Sequence, residues 1–327
     1  MTAPILVTGS AGHLGEALMR TLRAAGRAAI GLDRIASPFT DVVGSITDRA
    51  VVERCVGGAG AVVHAATLHK PHVVSHGRQE FVDVNITGTL TLLDAATRAG
   101  VGAFIFTSTT SAFGAALAPP PHAPAAWITE DVAPVPKNIY GVTKVAAEDL
   151  CALAHRNEGL PCLVLRTSRF FPEPDDDPRA RDAYADANLK LDEFVYRRVD
   201  IEDVVDAHLC ALERAAALGF GRYIISATTP FHRDDVAELR RDAPAVLRRR
   251  VPGWEDVYAR LDWRMLPSID RVYDNARARA DLGWRPRHDF ASAIARIRDG
   301  GDLRSPLAQA IGIKGYHPDV AVPLGGC

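Results

Sequence analysis

Apolar and polar positions alternate along the first two-thirds of the chain with a regular rhythm. Short, almost unbroken apolar runs stand at 4–7, 28–32, 42–46, 61–66, 103–108 and 161–165. Runs this short with no polar face read as strands buried on both sides, as in a parallel sheet. Helical patterns lie between them. Leu14, Leu18, Leu22 and Ala25 fall on one face, and Gly26 supplies the stop. Asp48 is placed to cap a short helix that Gly57 and Gly58 end. Phe81, Val84, Leu92 and Leu93 mark a helix over about 79–99, and another runs over about 140–155. This alternation predicts an α/β fold with a doubly wound parallel sheet.

The rhythm breaks after Arg166. Residues 170–192 are polar, rich in Pro and Asp, and weakly patterned. Val205, Leu209 and Leu212 then share a helix face, and 222–226 reads as one more strand returning to the sheet. The rest, to about 298, is mostly helical with Pro interruptions, and the tail from Gly300 onward is Gly- and Pro-rich and expected to be loosely held. The predicted division is a sheet domain of 1–165 plus about 196–226, and a smaller, mostly helical C-terminal substrate lobe of about 166–195 plus 227–327. The Pro- and Ala-rich stretch at 115–136 is too long for a plain connection and is expected to cover a site.

The first chemistry lies where the first strand meets the first helix, in Thr8-Gly9-Ser10-Ala11-Gly12-His13-Leu14-Gly15. Strand, glycine turn and helix form the context of the dinucleotide fingerprint. Gly9 permits the tight turn, Gly12 lets a pyrophosphate approach the backbone, and Gly15 lets the helix lie close to the strand. Free N–H groups at the helix start then face the phosphates. Asp33 ends the second strand, where a carboxylate takes the ribose hydroxyls and repels a 2′-phosphate. That favours NAD over NADP, although Arg34 beside it is a guanidinium suited to such a phosphate.

Composition removes other function classes. Among 327 residues, 38 Lys+Arg balance 40 Asp+Glu, so no charge excess argues for nucleic acid or an anionic membrane. Arg248-Arg249-Arg250 reads as a solvated face. Five scattered cysteines, odd in number and without a C-x-x-C, suit a reducing cytoplasm and argue against a zinc site or disulfide framework. No apolar run is long enough to span a bilayer, and the first strand begins too early to leave room for a signal peptide.

The second chemical signal is Tyr140-Gly141-Val142-Thr143-Lys144. On a helix, i and i+4 share a face, so phenol and ammonium sit together. A free phenol ionises near pH ~10, and a neighbouring cation lowers that value. The pair is then suited to take a proton from an alcohol whose carbon gives up hydride. His69, His72 and His76 have a spacing that suggests metal ligands, but Pro71 and the loop context argue against one, and no metal is expected. His69 and Lys70 are expected at the mouth of a substrate pocket, and His64 as a hydrogen-bonded core histidine.

With these residues in place, the chain resembles the extended short-chain dehydrogenase/reductases, the NAD-dependent epimerase/dehydratase group. The resemblance runs from Met1 to about Arg287. It rests on T-G-S-A-G-H-L-G at 8–15, H-A-A-T at 64–67, N-I-T-G-T at 85–89 and T-S-T-T-S-A-F-G at 107–114. Further marks are Y-G-V-T-K at 140–144, V-D-I-E-D-V-V-D-A-H at 199–208 and V-Y-D-N-A-R-A-R-A-D-L-G-W at 272–284. It implies a Rossmann-like fold, with Tyr140 as catalytic acid/base and Lys144 as its electrostatic partner and a ribose ligand. Thr109 would hold the substrate oxygen, with Thr110 beside it. Gly9, Ala11, Gly12, His13, Leu14, Gly15, Asp33, Arg34, Ser45, Ile46, Ala65, Ala66, Thr67, Asn85 and Thr107 would line the cofactor. The resemblance also suggests a homodimer that pairs the helices near 80–99 and 140–155.

Departures from the family narrow the activity. Thr109-Thr110-Ser111 stands where sugar 4,6-dehydratases look like T-D-E, so the carboxylates for water elimination are absent. Arg166-Thr167-Ser168-Arg169 replaces the R-Y-F-N typical of nucleotide-sugar epimerases, and the segment that follows is abbreviated. The R-x-S…P-E-P wording looks more like uronate dehydrogenases. Arg169 and Arg198 are candidates to clamp a carboxylate or phosphate; structural pairing with nearby acids is the competing reading. The expectation is an NAD(P)-dependent oxidoreductase acting on a secondary alcohol or ketone of a sugar-like substrate, with a sugar epimerase as the alternative and a non-catalytic NAD sensor as a minor one.

Overall fold

The computed structural model describes residues 3–175 and 177–315. Cys327 and the end of the Gly- and Pro-rich tail lie outside the described residues. The strands are β1 (Ile5–Thr8), β2 (Ala29–Asp33), β3 (Val42–Val43), β4 (Ala61–His64), β5 (Phe104–Thr109), β6 (Ala126–Ile128), β7 (Cys162–Thr167), β8 (Phe220–Ile225) and β9 (Arg271–Tyr273). Seven form one sheet in the order β3-β2-β1-β4-β5-β7-β8. Every pairing in it is parallel. The order reverses direction between β1 and β4, and the crevice at that switch point is where such sheets bind ligands.

Helices cover both faces. The helices α1 (His13–Ala24), α2 (Arg49–Val56), α3 (Arg78–Phe81), α4 (Gly88–Ala99) and α5 (Ile139–Glu158) precede β7. They are followed by α6 (Pro178–Ala183), α7 (Asp186–Glu193) and α8 (Ile201–Leu218). One face of the sheet packs Val7, Val63, Ile105 and Leu165 against α1 and α8. The other packs Leu6, Val62, Phe104 and Val164 against α2, α4 and α5. Each strand thus sends alternate side chains to two buried faces, which is why its sequence shows no polar period. Asp48 caps α2 as expected, accepting from the amides of Ala50 and Val51.

Several elements differ from the sequence reading. The strand expected over 42–46 stops at Val43, because Ser45 turns the chain by accepting the Thr47 amide at 3.1 Å. The helix expected over 79–99 is broken by a π-helical turn, Val82–Thr87. Such turns carry one residue more per hydrogen-bonded ring and tend to mark functional sites. The 115–136 stretch contains β6, which pairs parallel with β9 from far along the chain. The weakly patterned 170–192 stretch holds α6 and α7, whose polar faces hide their period.

Beyond β8, α9 (Val236–Leu239), α10 (Ala243–Arg250), α11 (Trp254–Leu261) and α13 (Phe290–Arg298) enclose a separate core of Phe231, Leu247, Trp254, Tyr258 and Phe290. The intervening α12 (Ala276–Asp281) and the final α14 (Pro306–Ile311) pack back toward the sheet, where Ala278, Trp284 and Ile311 join the α1/α8 core. Asp203 holds this return in place by accepting the amides of Arg287 and His288, and Asp200 accepts the Ser305 hydroxyl at 2.6 Å. No helix among the described residues is long and apolar enough to cross a membrane.

A buried ion pair ties the sheet to α5. Glu148 is 1% exposed and accepts from Arg166 of β7 at 2.7 Å, from the Ser108 hydroxyl of β5 at 2.5 Å and from Arg222 of β8 at 3.2 Å. Removing one partner of such a pair strands a buried charge. Arg166→Met is expected to lower stability by about 3 kcal/mol in urea unfolding. Glu148→Leu in the same chain should recover part of that loss, because it removes the stranded carboxylate.

Candidate active site

The C-terminal ends of β1, β2, β4 and β5 open into one cavity of about 530 Å³. At one end the β1–α1 loop forms a bare backbone cradle. Gly9 has φ +75°, and a Cβ there would lie 2.7 Å from the Ala66 amide. A Cβ at Gly15 would lie 1.9 Å from the Gly9 carbonyl. Only glycine lets the loop, the helix and β4 approach this closely. Gly12 caps α1 without a side chain, so the first amides of the helix face the cavity.

Asp33 closes the cradle at the end of β2. Its Oδ2 accepts the Ala11 amide at 2.9 Å and its Oδ1 the Ile35 amide at 3.0 Å. The carboxylate is thereby fixed in the cavity wall, with lone pairs remaining for hydroxyls. Arg34 lies exposed beside it. Leu14, Ser45, Ile46, Ala65, Ala66, Thr67 and Thr107 also line the cavity, as expected. His13 lines it too, and pairs with Glu173 at 2.8 Å.

Four expected site residues do not line the cavity: Ala11, Asn85, Lys144 and Arg198. The Asn85 amide is fully committed. It accepts from the Leu68 amide and the Thr67 hydroxyl, and donates to the Leu68 carbonyl and the Thr143 hydroxyl. Sitting in the π-helical turn, it bolts the loop after β4 to α5. Arg198 is 5% exposed, pairs with Glu193 at 2.9 Å and donates to the Phe171 carbonyl. This is the structural pairing that the sequence left open, and it removes Arg198 from the substrate set.

Tyr140 and Thr109 both line the cavity wall, where the Thr109 side chain favours the phenolate. Thr110 lies beside them, while the neighbouring Ser108 hydroxyl turns inward to Glu148. Burial pushes the Tyr140 phenol up to about 12, and the Thr109 side chain only partly opposes that. The expected pull from Lys144 is not among the influences on the phenol. Lys144 instead donates to the Thr107 carbonyl at 2.6 Å and sits 4.0 Å over the Phe106 ring. Burial brings its ammonium down to about 7, against the raising influence of Glu148. His64 bridges the hydroxyls of Thr8 and Thr89, and burial and Lys144 hold it well below the usual histidine range.

The cavity also carries cations in its wall. Arg169, Arg197, Arg271, Lys70 and Lys137 line it, together with His69, Phe171 and Tyr273. Among the described lining residues the carboxylates are Asp33 and Glu173, both already engaged. Arg169 and Arg197 share Glu193, at 3.1 and 2.6 Å. The sequence reading missed Arg197 and Arg271. Arg197 and Arg198 stand in the turn after α7 and both pair with Glu193, so which of them reaches the cavity is decided by the fold of that turn. Arg271 arrives on β9, from the stretch with the weakest pattern. His69, His72 and His76 stack edge to face at 4.8 and 5.0 Å between rings, and His72 Nδ1 accepts the His69 amide.

Residues 5–225 match the model of the NAD dependent epimerase/dehydratase family. The chain belongs to that family. Curated relatives include a dTDP-glucose 4,6-dehydratase of Streptomyces antibioticus, 31% identical over 90% of this chain and 91% of that protein. A UDP-glucose 4-epimerase of Azospirillum brasilense is 25% identical over 95% and 94%. Among solved structures, a short-chain dehydrogenase/reductase superfamily protein from Agrobacterium tumefaciens with bound NAD aligns with a TM-score of 0.64 at 24% identity, over 90% of this chain and 98% of that one. The family's cofactor is NAD, and the bare glycine cradle with a fixed carboxylate at the end of β2 fits it: the α1 amides and Gly12 would hold the pyrophosphate, and Asp33 the adenosine ribose.

The buried Lys144 makes cofactor-free stability depend on pH. Its value of about 7 when folded lies below its ordinary 10.5, so the unfolded chain binds more protons between the two. Stability from this group therefore rises as pH climbs from about 7 to 10.5. Lys144→Met should flatten that rise in denaturation midpoints measured across the range.

Proposed function

We propose that this chain transfers hydride between NAD and a secondary alcohol or ketone of a negatively charged, sugar-like substrate, with net oxidation or reduction. The observation that carries the reading is that Tyr140 and Thr109 line one cavity together with the glycine cradle, Asp33 and the arginines. Thr109 would hold the substrate oxygen against the phenol. Tyr140 would take the hydroxyl proton in oxidation and return it in reduction. NAD, when bound, supplies the hydride acceptor or donor, and its positive charge favours the phenolate that burial opposes. Lys144, when protonated, adds a second cation on the same helix face. Arg169, Arg197 and Arg271 would hold the substrate's anionic group.

Water elimination is disfavoured, because Thr110 and Ser111 stand where carboxylates are needed. The relatives named UDP-glucose 4-epimerase support a second reading. In it the same arginines grip a nucleotide diphosphate while the sugar turns over, and NAD is regenerated.

The test incubates the enzyme with NAD and panels of free sugars, sugar acids and nucleotide sugars, reading NADH absorbance and product stereochemistry together. NADH build-up is expected. Stereoinversion without NADH would install the epimerase reading, and neither signal from any panel would overturn both. Tyr140→Phe should cut turnover by about 10²–10⁴-fold while NAD still binds.

We also propose a homodimer built on α4 and α5. Leu90 and Leu153 are exposed along these helices and line a shared groove with Leu93 and Leu150. Sedimentation at micromolar concentration is expected to show a dimer, and Leu90→Arg with Leu153→Arg a monomer.

A further inference from the structure

Lys314 stands just beyond α14, which is itself docked on α1 and α8. From there the chain reaches the β1–α1 loop. The Lys314 amide donates to Glu173 Oε1 at 3.2 Å, the oxygen that also pairs with His13. Its ammonium donates to the Ala11 carbonyl at 3.0 Å and pairs with Glu16. Three segments far apart in sequence are thus tied together: 11–16, Glu173 and Lys314. Two of them supply cavity-lining residues, Gly12 and His13 from the first and Glu173 from the second.

The charges sharpen the point. Glu16 is a buried carboxylate in the first turn of α1, the turn whose amides face the cradle. A negative charge suits a helix start when no ligand is present, but it opposes an anion arriving at the same amides. Arg20 pairs with Glu16 at 2.7 Å from one side, and Lys314 from the other. Without the Lys314 ammonium, Glu16 would keep Arg20 as its remaining cation, and the glycine loop would lose the tie from the Ala11 carbonyl to the C-terminal segment.

We propose that Lys314 is a cofactor-retaining residue: it offsets Glu16 and clasps the glycine loop to the segment after β7, slowing NAD release. The inference concerns cofactor binding and stands whichever alcohol is oxidised.

The test uses the full chain, with NAD affinity measured by calorimetry and NADH release by displacement in a stopped-flow instrument. Lys314→Met is expected to weaken NAD about ten-fold, mostly through faster release. Lys314→Arg should stay near the parent chain, since it keeps the cation. Glu16→Gln combined with Lys314→Met should recover part of the affinity. Circular dichroism melting of each variant confirms that the fold persists. Unchanged NAD affinity and release in Lys314→Met would overturn the proposal, as would equal losses in Lys314→Met and Lys314→Arg.

Discussion

The position of α5 depends on one buried carboxylate. Glu148 lies two turns beyond Tyr140 and one beyond Lys144 on α5, and it is held by Ser108, Arg166 and Arg222 from three neighbouring strands. A helix lying on a sheet through apolar contacts alone can slide or rotate at modest cost. A buried, hydrogen-bonded ion pair cannot, because each displaced charge would face an unpaired, poorly solvated position. Tyr140 is thereby held in the same cavity wall as Thr109, the last residue of β5. Asn85 adds a second bolt from the opposite side, through Thr143.

Fixing these groups by burial has an electrostatic consequence. The same low-dielectric surroundings that hold α5 in register raise the phenol and lower the ammonium. In the protein alone the charged forms of Tyr140 and Lys144 are therefore both disfavoured. A bound cation beside them, and water exclusion by the substrate, would shift the balance toward phenolate only when the reactants are assembled. The cations in the cavity wall follow a related logic. Arg169 and Arg197 share Glu193, and Arg271 pairs with Asp270, so neighbouring carboxylates hold these guanidinium groups in place.

Much of this architecture was legible from local pattern. Buried parallel strands need side chains that are apolar on both faces, so six of the seven sheet strands announced themselves as short apolar runs and the last as a shorter one at 222–226. The glycine turn, Asp33 and the Tyr140/Lys144 spacing are local backbone and i, i+4 facts, and local facts survive folding. The elements that escaped lacked such a signature. The β6–β9 pair joins segments more than a hundred residues apart, and α6 and α7 carry too few apolar residues to show a period.

The chain by itself determined the order of strands and helices, the dinucleotide cradle, and which residue types face one another along α5. Those properties follow from periodicity and spacing, which the backbone converts directly into geometry. Tertiary structure decided the rest. Burial, and not proximity in sequence, set the protonation tendencies of Tyr140 and Lys144. The turn after α7 placed Arg197 in the cavity lining and left Arg198 outside it. The return of the C-terminal segment brought Lys314 to Glu16, some three hundred residues away. Each of these depends on which atoms surround a side chain in space, and that surrounding exists only once the whole chain has closed around it.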